Sequence, residues 1–159
     1  AGLARRRRAR DLRPAEPLPD ATPIPPLARP LGFAGLIPFA GLAVLSLAGV
    51  SWAPAALAAY GATILAFLGA VHWGFALRAL PGEDHAGPAR LVLGVVPALL
   101  AWVALLLPLT AGLWLLAMGV LATAVVETAA ARRGLVPAGY LRLRWWLSAG
   151  AAVSLVASA

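Results

Sequence analysis

The chain has no cysteine, no lysine, two histidines and six acidic residues. Without cysteine there is no disulfide, no thiol nucleophile and no thiolate metal site. Charged residues make up 12% of the chain, about half the ~25% of a soluble domain. With 62% apolar residues, too little polar surface is left to solvate a water-soluble fold. No phosphate-binding loop, nucleophile elbow, zinc signature or haem-attachment motif is present. The polar side chains are too few to assemble an acid, a base and oxyanion donors, so the expectation is no enzyme, no catalytic residue, no cofactor and no metal site. His72 alone as an axial haem ligand would need a second subunit for a bis-histidine pair.

What is there is apolar sequence in long runs. Five runs stand out, at about 31–50, 55–77, 91–107, 109–131 and 140–159. Each matches the roughly 20 residues that cross a bilayer at about 1.5 Å per residue. Together they use about 100 residues of the 159. All thirteen basic residues are arginines. Arg5, Arg6, Arg7, Arg8, Arg10, Arg13 and Arg29 precede the first run, Arg78 and Arg90 follow the second, and Arg132, Arg133, Arg142 and Arg144 follow the fourth. The alternate connections carry none. Positive charge near spans stays on the cytoplasmic side. The pattern therefore predicts an all-α integral membrane protein, a five-transmembrane-helix bundle with the N-terminus in and the C-terminus out. The net charge of +7 is read as this topology signal plus attraction to anionic headgroups of the lipid bilayer, with no nucleic-acid partner.

Two regions follow: an Arg/Pro-rich tail at 1–30 and a membrane domain at 31–159. Seven prolines between Pro14 and Pro30 oppose regular helix in the second half of the tail. It reads either as a solvated tail or as an arm that docks on a neighbour. The Arg-rich start fits a bacterial cytoplasmic tail or the remainder of a mitochondrial targeting segment. Within the runs, Pro38 and Pro97 predict kinks. Pro54 and Pro137 suit the first turn of a helix, residues 81–88 read as an inner loop, and Thr110 suits an N-cap after the Pro108 turn. Trp52, Trp73, Trp114, Trp145 and Trp146 fall near the run boundaries and are read as interfacial anchors. Trp102, six residues before Pro108, fits the same belt or core packing.

The second run carries an i, i+4 row of small residues, Ala58, Ala62, Ala66, Ala70 and Gly74. Small residues let helix backbones approach closely, so this row is the candidate packing face, toward the bundle or another protein. Leu57, Tyr60, Ile64, Phe67, Leu68, Val71 and Phe75 form the opposite arc, read as lipid-facing. His72 lies beside the small row, about 9 Å from the inner boundary, and Glu127 lies about 7.5 Å from it in the fourth run. Ionisable residues inside spans are functional candidates. The pair reads as a proton relay or as a structural clamp, with Arg132 and Arg133 as other partners for Glu127.

The stretches from Leu31 to Phe39 (LGFAGLIPF), Ala59 to Gly74 (AYGATILAFLGAVHWG), Val96 to Trp102 and Gly139 to Arg144 resemble a family of small multi-pass membrane proteins, the domain of unknown function 3429 family, with transmembrane protein 69-like members. The resemblance spans roughly 31–155. It implies a bacterial cytoplasmic (inner) membrane protein with mitochondrial inner-membrane relatives, and carries no catalytic residues over. It also implies that eukaryotic members often have Arg at the position of His72, which favours a structural role there. The expected function is that of a non-enzymatic accessory or assembly subunit, packing against other membrane protein subunits of an energy-transducing complex. The alternative is a small proton-coupled transporter or channel using His72 and Glu127.

Overall fold

The computed structural model describes residues 26–77, 87–132 and 138–159. These residues are helical, with no strand among them. The helices are α1 (Ala28–Ala34), α2 (Leu36–Leu47), α3 (Ala53–Leu77), α4 (Gly87–Leu106), α5 (Leu109–Ala131) and α6 (Ala138–Ala157). Four segments are long and apolar enough to cross a membrane: Ala28–Leu47, Ala53–Gly74, Gly87–Leu106 and Leu109–Ala131. α6 is a 20-residue helix with Arg142 and Arg144 in its first two turns. Most of the Arg/Pro tail (1–25), Arg78 with most of the inner loop, and Arg133 with Pro137 lie outside the described residues.

The first apolar run is two helices, broken at Gly35. Pro38 has no N–H to give the carbonyl of Ala34, so the ladder fails where a kink is predicted. A neighbouring helix compensates for the break: the Tyr60 hydroxyl donates to the Gly35 carbonyl at 3.0 Å, and its ring meets Phe39 edge-on at 4.9 Å. α1 starts at Ala28, inside the predicted tail, because Pro30 falls in its first turn, where proline is tolerated. Gly49 ends this span with φ +82°, a left-handed turn that favours glycine. Helix α4 runs on through Pro97.

Helices α2, α3, α4, α5 and α6 pack as successive neighbours, and α6 returns to α2. α3 also reaches α5 and α6, so it is the central element. The core is Phe39, Leu57, Leu65, Leu113, Leu116, Val120 and Leu155, filled in with alanines. Close approaches depend on missing side chains. A Cβ on Gly69 would stand 2.7 Å from the Gly94 carbonyl oxygen, and one on Gly94 would collide with the Trp73 indole. A Cβ on Gly112 would collide with the Ala104 carbonyl, which brings α4 and α5 together as the predicted hairpin.

Two expectations are corrected. Thr110 does not cap α5; the N-cap is Pro108, without a side-chain bond. The Thr110 hydroxyl donates instead to the Ala159 carbonyl at 3.0 Å, placing the end of α6 beside the start of α5. The small row of α3 is not one buried face. Ala58 and Ala62 are buried, Ala66 is half-buried, and Ala70 and Gly74 are exposed, while Leu57 and Leu68 of the supposed lipid arc are buried. The reason is helical geometry. An i, i+4 row drifts about 40° per step and about 160° over four steps, so it winds off the interface. The stripe that stays buried mixes three- and four-residue steps through Leu57, Gly61, Leu65, Leu68, Gly69 and His72.

Candidate functional site

Two pairs of residues, each four apart, build a polar cluster between α5 and α6. At that spacing residues share a helix face. Thr123 and Glu127 project from α5, Arg144 and Ser148 from α6, and all four are buried. Arg144 Nε donates to Glu127 Oε2 at 2.8 Å. Its Nη1 donates to Ser148 Oγ at 2.6 Å and its Nη2 to Thr123 Oγ1 at 2.7 Å. The Thr123 hydroxyl in turn donates to the Val120 carbonyl at 2.8 Å. One guanidinium thus reaches three acceptors on two helices.

Burying an ion pair costs desolvation that attraction offsets only when geometry and supporting hydrogen bonds are good. Here they are: every buried side-chain nitrogen and oxygen among the described residues has a partner. A second tie lies one residue along, where Trp145 Nε1 donates to Thr128 Oγ1 at 3.0 Å and Thr128 donates to the Ala124 carbonyl at 2.8 Å.

His72 is buried on α3, with Nδ1 3.2 Å from the Leu68 carbonyl. A carbonyl only accepts, so this bond puts a proton on Nδ1. Gly61 faces Leu116 and Gly119 faces Leu65, so α3 and α5 run parallel and His72 comes level with Glu127. The hydrogen-bonding partner of Glu127 is nevertheless Arg144 rather than His72. Arg90, in the first turn of α4, is buried as well. Next to it, Trp73 Nε1 donates to the Leu91 carbonyl at 3.1 Å, fixing the α3 end that carries His72 against α4. Among the described residues no three His, Cys, Asp or Glu side chains gather as metal ligands.

The remaining indoles face outward: Trp52, Trp102, Trp114, Trp145 and Trp146 are all exposed, and Trp102, 60% exposed, is not core packing. Sequence reasoning missed Arg90 and Arg144 as internal residues, counting both as connection charges. The signal for Arg144 was its i+4 partner Ser148, matched by Thr123 four residues before Glu127. What this arrangement does chemically is hold a charge and a countercharge together across a helix interface.

Residues 24–159 match the family model described as Protein of unknown function (DUF3429). A curated relative from Xenopus tropicalis, Transmembrane protein 69, is 49% identical over 81 residues, covering 48% of this chain and 31% of the relative. The chain thus spans about a third of that relative's length. No solved structure matches.

Proposed function

Because the chain belongs to the DUF3429 family, we propose that it is a non-catalytic membrane protein that packs as an accessory or assembly subunit against a larger energy-transducing complex. In this reading α6 is the fifth span. Its 20 residues extend about 30 Å, the thickness of the hydrocarbon core. Arg144 crosses the interface zone already paired with Glu127, and Arg142 extends toward the headgroups. The described arginines, Arg29, Arg90, Arg132, Arg142 and Arg144, all lie toward the end opposite the Thr110–Ala159 contact. That end is cytoplasmic by the positive-inside tendency, with the N-terminus in and the C-terminus out. The membrane in this reading is a bacterial inner membrane, or its mitochondrial counterpart.

The observation that carries the reading is the engagement of Glu127 by Arg144 within the α5–α6 interface. A proton path through Glu127 and His72 requires a carboxylate that exchanges partners, whereas this one is held by a guanidinium that is itself bonded to two hydroxyls. The exposed small residues of α3, Ala70 and Gly74, offer close backbone approach to a further helix.

The test is purification of the tagged full chain from its native membrane in mild detergent, with mass spectrometry of the co-purifying proteins. A stoichiometric respiratory, photosynthetic or translocation complex is the expected result. A clean monomer or homo-oligomer overturns it and moves the weight to the transporter, to be followed by flux assays on His72 and Glu127 variants.

A further inference from the structure

Arg142 and Arg144 are two residues apart, so on a helix they point about 200° away from each other. Arg144 turns inward to Glu127. Arg142 turns outward, exposed, with no ion pair or hydrogen bond among the described residues. It borders an open depression of about 370 Å³ lined by Arg142, Trp145, Trp146 and Ala149. These positions are i, i+3, i+4 and i+7, a single helix face. Trp145 is anchored, since its indole N–H is taken by Thr128. Trp146 is 67% exposed, and its indole N–H has no partner among the described residues. Ala149 leaves the floor low.

We propose that this depression is a site for an anionic glycerophospholipid. The almost wholly apolar walls take the upper acyl chain along Ala149 and the indoles, and the phosphate sits at the rim, where it takes hydrogen bonds from the Arg142 guanidinium and the Trp146 N–H. The chemistry matches piece by piece. A guanidinium binds phosphate oxygens in a fork, indoles prefer the headgroup boundary, and the neighbouring surface of α6 is apolar. The inference rests on the reading of α6 as a membrane span.

The full chain is reconstituted in vesicles of phosphatidylcholine containing a minor fraction of lipid with brominated acyl chains, either phosphatidylglycerol or phosphatidylcholine. Tryptophan quenching attributable to this site is the difference between the native chain and its Trp145→Phe/Trp146→Phe variant. The expected result is an apparent affinity for the glycerol lipid about fivefold above that for the choline lipid, the scale of one arginine at an anionic surface. Arg142→Gln removes the preference, while Arg142→Lys retains part of it. Equal quenching by both lipids, or a preference that survives Arg142→Gln, overturns the site and leaves the span intact. No quenching by either lipid overturns the span and the site with it. Loss of the preference on adding inorganic phosphate identifies a free-phosphate site and overturns the lipid assignment.

Discussion

Arg144 Nε and Glu127 Oε2 are 2.8 Å apart with both side chains about 4% exposed, so neither charge has water to fall back on. Removing one partner strands the other. Glu127→Leu or Arg144→Met alone is expected to destabilise the bundle by about 3–5 kcal/mol, whereas the double substitution costs less than either single one. Reversible unfolding of the four chains in mixed detergent measures the coupling. Additive losses would show that the two residues act separately.

The Trp73 indole occupies the space above Gly94. Gly94→Ala is therefore expected to cost about 1–3 kcal/mol through overpacking, and Trp73→Ala in the same chain recovers part of it. Thermal denaturation of the single and double variants checks this; no recovery would place the strain elsewhere.

Tyr60→Phe keeps the ring against Phe39 and deletes the hydroxyl that serves the Gly35 carbonyl. The expected loss is about 1 kcal/mol, felt locally. Hydrogen exchange should accelerate at residues 31–39 and stay unchanged in α5. A uniform acceleration would mean that the break is not held by this bond.

The winding of the small row separates its two halves. Ala62→Leu, at a buried position, should destabilise the isolated chain by about 1–3 kcal/mol. Ala70→Leu and Gly74→Leu, at exposed ones, should leave its stability within about 0.5 kcal/mol. In the native membrane the second pair should reduce co-purification of the proposed partner complex. Unchanged recovery of that complex would remove this face from the interface.

Four of the five predicted spans were legible because about 20 apolar residues is a length set by the bilayer, and because Pro38, Pro54 and Pro108 punctuate the backbone locally. The turning of each helix was less legible. The Ala58–Gly74 row satisfied a spacing rule that holds over one or two turns and fails over four. The pairing of Glu127 was legible only as matched four-residue polar spacings, Thr123 with Glu127 and Arg144 with Ser148. Arg132, Arg133 and His72 were all within sequence or depth reach, and only the packing of α5 on α6 chooses Arg144. Arg90 and Arg144 show the same limit from the other side: an arginine near a span boundary reads the same in sequence whether it is buried or faces water.

The separation of Glu127 and Arg144 by seventeen residues has a consequence for how the protein is made. The carboxylate leaves the ribosome first, and at about 5–20 residues per second its guanidinium follows on the order of one to three seconds later. During that interval α5 carries its carboxylate without the buried partner it has in the fold and is poorly suited to settle in lipid. In the proposed topology, entry of α6 supplies the missing countercharge, so the helix made after α5 is the one that commits α5 to the membrane.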